Sequence, residues 1–228
     1  GWLAGIAAAG ITNDLKLIFL ISAASFVIGF LFTIKLPNPI QEKELTPGTT
    51  KTVILKNKFL FLSLLLRHIG AAAVWTILPI MIVEKLGGEL YHISIVYVAN
   101  TMAAFILMNV MASKIHLSNV TKFKIGVGCT TFVFIGLSVV TEWWMAMPFM
   151  ALVGATWAFL FIGGNFHLME NNPRSTSTGI FSSTLSIATV IGPVIAGSIA
   201  FLFDYVAVMY FAIAIIIVAF VVSLKIKK

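Results

Sequence analysis

Seven apolar stretches, each long enough to cross a lipid bilayer, constrain what this chain can fold into. A helix needs about 20 apolar residues to span the hydrocarbon core. Strand-like alternation of apolar and polar residues does not extend over comparable lengths. The sequence therefore predicts an all-α, polytopic membrane protein with seven full transmembrane helices and a partial one. The predicted full spans are roughly 16–36, 59–83, 91–113, 123–142, 145–169, 177–203 and 205–224, and the partial span is 1–12.

The composition excludes a soluble domain. Hydrophobic residues make up 60% of the chain and charged residues only 10%, whereas soluble domains are about one quarter charged. A bilayer must therefore act as solvent for most of the surface. The single cysteine, Cys129, excludes an internal disulfide, and we expect it to pack as a small hydrophobe.

One long polar stretch divides the chain. Residues 37–58 include three prolines, a glycine and paired threonines, which is typical of a linker. Gly1 begins inside an apolar run, so we expect the chain to continue a longer protein. The predicted divisions are 1–36, the linker 37–58 and the helical region 59–228.

The basic residues predict the orientation. If the linker is cytoplasmic, twelve basic residues lie inside and only Lys16 and Lys85 lie outside, which is a strong positive-inside bias. The C-terminus is then cytoplasmic, and the charge faces anionic membrane lipids rather than nucleic acid. The twelve inner residues are Lys35, Lys43, Lys51, Lys56, Lys58, Lys114, Lys122, Lys124, Arg174, Lys225, Lys227 and Lys228.

Two distant segments are similar to each other. In each, a helix with two glycines is followed by an acidic turn and by an apolar run that ends in lysine. The order and the predicted orientation agree in both copies, which favours a parallel repeat of six helices. The copies are Gly5 to Gly10 with Asp14 and Lys35, and Gly192 to Gly197 with Asp204 and Lys225.

These features together resemble the major facilitator superfamily of secondary transporters. Arg67-His68-Ile69-Gly70 stands early in the helix that follows the linker, and Pro173-Arg174, Gly192-Pro193 and Gly197 are similar to the eleventh helix of that family. The segment from Lys114 to Lys124 is similar to its basic loop, without the usual Gly and Asp-Arg. The resemblance covers essentially the whole chain.

The resemblance implies a major-facilitator-type bundle from which part is missing. Residues 1–36 would be the end of helix five and helix six, and 59–228 the complete C-terminal six-helix half. The implied function is secondary active transport of a small solute across the cytoplasmic (plasma) membrane by alternating access, as part of a permease. The missing N-terminal half would be a necessary partner, so we expect the chain alone to be inactive.

Polar and aromatic side chains within the predicted spans are candidates for the substrate pathway. Arg67 is the only basic residue well inside a span, and it is either a contact for a substrate anion or a side chain that reaches back to lipid head groups. His68 and Trp75 share one stripe of their helix, and hydroxyls at the position of Ser186 either bind substrate or pack between helices. The pathway candidates are Arg67, His68, Trp75, Asn100, Trp157, Asn165 and Ser186, and the gating or packing candidates are Gly192, Pro193, Gly197 and Arg174.

The sequence gives little support for enzyme chemistry. The four histidines fall in different segments without metal-ligand spacing, and no phosphate-binding glycine loop is present. We therefore predict no enzyme activity, no cofactor and no metal. A proton is the candidate coupling ion, carried either by a carboxylate in the missing half or by His68 or His167.

Two other protein classes stay open. A seven-helix receptor or photoreceptor-like protein fits the helix count, although Lys225 is terminal and so is misplaced for a Schiff base in the last helix. A membrane scaffold without transport activity also fits. The polar stripes favour a transporter over both.

Overall fold

The computed structural model describes residues 12, 15–34, 50–113 and 115–227. Within these ranges all regular elements are helices, and seven of them are long and apolar enough to cross a membrane. The chain is a multi-pass membrane protein, and the all-α prediction with seven full spans is confirmed.

The helices are named in chain order. The seven membrane-length helices are α1 and α3 to α8, whereas α2 is short. A 3-10 turn, Trp143–Met145, precedes α6. The bounds are α1 Leu15–Ile34, α2 Thr50–Lys56, α3 Lys58–Glu84, α4 Leu90–Ser113, α5 Asn119–Ser138, α6 Ala146–Asn171, α7 Arg174–Leu202 and α8 Tyr205–Leu224.

Some predictions concern residues that the structure does not describe. Apart from Thr12, the partial helix 1–12 and the beginning of the first repeat copy lie outside the described residues. Most of the 37–58 linker does so as well. The divisions 1–36, 37–58 and 59–228 accordingly stay predictions.

Helical residues lie within both predicted loop segments, at the end of 37–58 and at the end of 114–124. Helix α2 occupies the end of the linker, where Val53 is buried and the helix packs against α7. Helix α5 begins at Asn119, because Ser118 caps it by accepting a hydrogen bond from the Thr121 amide at 3.3 Å. A hydropathy pattern does not detect the first turns of α2 and α5, because most residues in those turns are polar.

Helices α3 to α8 form two groups of three. Helix α6 packs between α4 and α5, and α3 packs between α7 and α8. The two groups meet along a seam where α5 contacts α8 and α6 contacts α7. By contrast, the span of α1 buries none of its apolar window against the other described residues.

Glycines permit backbone contacts inside each group. A methyl group at Gly154 of α6 would overlap the carbonyl oxygen of Asn100 in α4, and one at Gly126 of α5 would lie 2.5 Å from the Leu160 amide. In the other group, a methyl at Gly192 of α7 would lie 2.8 Å from the carbonyl oxygen of Ile69 in α3. Such close crossings are how membrane helices associate without a hydrophobic driving force.

Seam glycines face side chains instead. A methyl at Gly128 of α5 would meet the ring of Phe220, and one at Gly164 of α6 would meet the ring of Phe181. The two groups are therefore held internally by backbone contact. At these two positions they meet through aromatic rings.

The ends of the bundle differ in chemistry. At one end, the Tyr205 hydroxyl donates to Glu84 at 2.7 Å, and the Trp143 amide donates to the Leu86 carbonyl at 3.0 Å. At the other end, Lys124 donates to the carbonyl oxygens of Leu224 and Ile226. Acidic and aromatic residues thus gather opposite the lysine-rich end, as the alternating spans require.

Candidate functional site

A polar and aromatic cluster lies where α3 of one group meets α5 and α6 of the other. It is centred on Arg67 and His68, which are consecutive in α3. Arg67 is the tenth residue of that helix, so at 1.5 Å per residue it lies about 13 Å from the helix start. The cluster is therefore well inside the span.

Arg67 is fully buried and has few partners. Its Nε and Nη2 atoms donate to the Thr130 hydroxyl at 3.4 and 3.3 Å, and this hydroxyl in turn donates to the Gly126 carbonyl at 2.6 Å. The guanidinium carbon lies 5.6 Å from the centre of the Trp157 ring, within the range of a cation–π interaction. Because protein encloses the side chain, it does not reach lipid head groups.

The charge of Arg67 is incompletely compensated. Its Nη1 atom has no hydrogen-bond partner, and among the described residues no carboxylate lies within ion-pair distance of it. A buried charge is costly unless it is paired and hydrogen-bonded. The site can therefore accommodate an anion or another strong acceptor.

His68 joins the cluster through ring contacts. Its imidazole lies 5.7 Å from the Trp75 ring in an edge-to-face arrangement and 5.5 Å from the Trp157 ring. Trp157 therefore contacts both Arg67 and His68, although neighbouring residues of α3 point in different directions. His68 Nδ1 and Trp75 Nε1 are buried without a hydrogen-bond partner, as is Arg67 Nη1.

Pro79 leaves one backbone carbonyl of α3 without its helical hydrogen bond next to this cluster. A proline has no amide hydrogen, so the carbonyl four residues earlier, that of Trp75, loses its helical partner. The Tyr97 hydroxyl of α4 donates to that carbonyl at 2.9 Å. This bond joins the two groups of helices beside the ring of Trp75.

An aromatic row continues the cluster toward α7. Trp157 and Phe161, one turn apart in α6, have ring centres 5.4 Å apart, and Phe161 lies edge-on to Phe181 at 5.7 Å. Asn165, one turn further on, donates to the Phe161 carbonyl at 3.1 Å. Trp157 is half-buried and Phe161 is exposed, so the row forms a wall with one accessible side.

The remaining pathway candidates occupy other places. Asn100 donates to the Met150 carbonyl at 3.1 Å and so joins α4 to α6, which is a packing contact. Ser186 lies on the exposed side of α7. Both stay predictions as pathway residues.

The gating candidates differ in their surroundings. Gly192 lies at the close crossing with α3, where a methyl would be 2.7 Å from Ala72 Cβ. Pro193 is inside α7, and no described atom lies within 4 Å of the methyl position at Gly197. Arg174 is the first residue of α7. Their gating roles stay predictions.

The open side of α7 is unusual for a surface that faces lipid. Ser182, Ser186 and Thr189 are exposed there in the middle of a membrane span. Apolar residues such as Val190 and Val194 are also exposed on α7, whereas the exposed residues in the middle and last turns of α8 are all apolar, for example Ile217 and Val221. Since polar groups are costly in hydrocarbon, the stripe of hydroxyls on α7 fits a protein partner or water better than lipid.

Sequence reasoning missed three members of this site. Thr130, Tyr97 and Phe181 belong to helices other than α3, and their roles depend on which helices become neighbours. Two features of the sequence point toward these residues. Thr130 stands one turn after Gly126 in α5, and Pro79 leaves the Trp75 carbonyl without its helical donor. Neither feature identifies the residue on the other helix.

Comparison with known proteins identifies the fold. No protein-family profile and no curated protein matches the sequence. Among solved structures, the chain is similar to a Major Facilitator Superfamily transporter, FucP, in the outward conformation, with a TM-score of 0.61 and 11% sequence identity. The match covers 93% of this chain and 55% of that transporter, so the chain spans about half of its length. The chain has the major-facilitator fold.

Proposed function

We propose that this chain, which has the major-facilitator fold, forms one six-helix half of a secondary transporter together with a helix of the other half. The transporter moves a small solute across the cytoplasmic membrane by alternating access. The observation that carries the proposal is the buried, incompletely paired Arg67 at the seam between two groups of three helices. Arg67 lies about 13 Å inside its span, and transporters built from repeats place their substrate sites near the middle of the membrane.

The cluster favours a solute with an anionic or zwitterionic group. Arg67 Nη1 and Trp75 Nε1 are donors without acceptors. A carboxylate or phosphate supplies such acceptors, and a charge-assisted hydrogen bond is stronger than a neutral one. The rings of Trp75, Trp157 and Phe161 would bind the apolar part of the same solute.

The seam provides a physical means of alternating access. Gly126, Gly154 and Gly192 hold each group together by close backbone contacts, and such contacts do not shift without breaking the packing. The seam depends partly on ring contacts and on the Tyr97 hydrogen bond, which can rearrange by changes of side-chain rotamer. Rigid units that rock about a central site are the usual mechanism in transporters of this kind.

The second half of the transporter would face the open side of α7 across the water-filled pathway. This proposal rests on the exposed hydroxyls of that side and on α1, whose apolar span is uncovered within the described residues. The positive-inside rule supports a cytoplasmic position for the lysine-rich end and for the C-terminus.

Reconstituted transport tests the proposal. The polypeptide that includes the preceding half would be placed in liposomes, and uptake of labelled anionic, zwitterionic and sugar solutes measured. We expect saturable uptake of an anionic or zwitterionic solute, and a loss of at least about tenfold in Arg67→Gln, because a hydrogen bond to a charged group contributes about 1.5–3 kcal/mol. Lys122→Gln, at another buried basic residue, is the matched control and should retain uptake. Unchanged uptake in Arg67→Gln would refute the role of Arg67.

A proton is the proposed coupling ion. His68 belongs to the cluster, and His167 lies 4.0 Å from Glu170 toward the lysine-rich end. If either histidine carries the proton, its replacement by Gln will remove the response of uptake to an imposed pH gradient. A full response in both single variants and in the double variant would assign coupling to the other half.

A further inference from the structure

A basic cavity lies at the lysine-rich end of the bundle, away from the Arg67 cluster. It has a volume of about 490 Å³ and opens where α2 meets α3, beside the end of α8. Basic side chains from three separate segments line it. They are Lys56, Lys58, His167, Lys225 and Lys227.

The fold fixes the segment that carries two of these lysines. Ile226 is buried in the same apolar cluster as Val53 and Leu60. The Lys124 ammonium of α5 donates to the Ile226 carbonyl at 3.0 Å and to the Leu224 carbonyl at 3.4 Å. Lys225 and Lys227, on either side of Ile226, are therefore anchored beside the cavity and do not extend from a loose tail.

Positive charges converge in this cavity. The ammonium groups of Lys58 and Lys225 lie 5.2 and 5.7 Å from the centre of the same ring, that of Phe59. No carboxylate is among the described residues that line the cavity, although Glu170 lies 4.0 Å from the lining residue His167. The ammonium groups add positive potential beside the cavity, which lowers the free energy of an anion bound there. The arrangement therefore favours a bound anion.

We propose that this cavity binds a phosphate-bearing anion. Lysine ammonium groups bind phosphate as point charges. The cavity lies at the ends of two apolar spans, α3 and α8, which is the depth of lipid head groups. An anionic phospholipid and a soluble phosphate compound share this chemistry, and binding measurements can distinguish them.

Lipid titration of the purified chain tests the site. Binding of dioleoyl phosphatidylglycerol in neutral detergent would be followed by native mass spectrometry, with dioleoyl phosphatidylcholine as the uncharged-head-group comparison. In the double variant Lys58→Gln/Lys225→Gln we expect the apparent Kd for phosphatidylglycerol to rise about thirtyfold, or about fivefold for each lysine. The control Lys51→Gln/Lys85→Gln removes the same charge away from the cavity and should change the Kd less than twofold.

Competition identifies the source of the anion. Binding that survives millimolar inorganic phosphate assigns the site to the lipid, and binding that phosphate displaces assigns it to a soluble compound. Equal losses in the two double variants would overturn the proposal, as would equal binding of the two lipids. The melting temperature of each variant without lipid verifies that it is folded.

Discussion

Arg67 places a positive charge inside the bundle. Its guanidinium contacts the Thr130 hydroxyl and the Trp157 ring. Residues of this kind lower stability and persist where function needs them. A stability measurement therefore separates a functional Arg67 from a structural one.

Arg67→Met should leave the purified chain at least as stable as the original. Replacing an uncompensated buried charge by an apolar side chain of similar length removes its desolvation penalty, and replacing buried ion pairs by apolar residues has stabilised other proteins by about 1–4 kcal/mol. Thermal unfolding in detergent measures this, with Arg67→Lys as the variant that keeps the charge. A melting temperature well below that of the original chain in Arg67→Met would show that Arg67 holds the bundle together.

Thr130→Val should destabilise the chain by about 1–3 kcal/mol, because it removes the oxygen that receives two donors of Arg67. The loss should largely disappear when Arg67 is already Met, since the donors are then absent. Thr131→Val, at the next residue of α5, is the control. Additive effects of Thr130→Val and Arg67→Met in a double-mutant cycle would mean that the two side chains are not coupled.

The sequence identifies the centre of the cluster better than its surroundings. Arg67, His68, Trp75 and Trp157 are recognisable because each is polar or aromatic within an apolar span. Thr130 is also recognisable as a polar residue within an apolar span. Its contact with Arg67 cannot be predicted, because helical periodicity describes one helix at a time. Which helices become neighbours is decided by tertiary packing.

At the scale of elements, glycines distinguish contacts within a group from contacts across the seam. The position of a glycine in a sequence does not reveal this difference. Gly154 and Gly179 both stand in apolar helices, yet Gly154 is pressed against the α4 backbone and no described atom lies within 4 Å of the methyl position at Gly179. The approach of another helix decides the effect of a substitution.

Gly154→Ala should therefore destabilise the chain by about 1–3 kcal/mol, the usual cost of overpacking. Gly179→Ala should be neutral or stabilise by up to about 1 kcal/mol, because alanine favours the helix and meets no obstacle. Denaturation of both variants under the same detergent conditions tests the pair. Equal effects would contradict the assignment of Gly154 to a close backbone crossing.

Helix ends were harder to predict than helices. The long apolar runs fixed the existence of α3 to α8, since a span of that length has few alternatives in a bilayer. The start of α5 depends on Ser118, a polar residue that hydropathy counts as loop, and α2 packs through the buried Val53. Capping and packing decide whether such segments become helical.

At the scale of the whole molecule, the chain presents two kinds of exposed surface. The hydroxyls of Ser182, Ser186 and Thr189 make one side of α7 polar, whereas a groove between α5 and α8 is lined mainly by apolar side chains and includes Cys129. The proposed transporter half requires both surfaces, one for the pathway and one for lipid. We therefore expect the two surfaces to differ in their access to water.

Thiol labelling in membranes tests the central claim most directly. Ser186 and Cys129 both lie near mid-span, about 18 and 15 Å from the starts of α7 and α5. In the polypeptide that includes the preceding half, we predict that a charged, membrane-impermeant thiol reagent modifies a cysteine at position 186 in a Cys129→Ala background. The same reagent should leave the native Cys129 unmodified. Modification of Cys129 with none at position 186 would contradict the account, because the polar side of α7 would then face lipid.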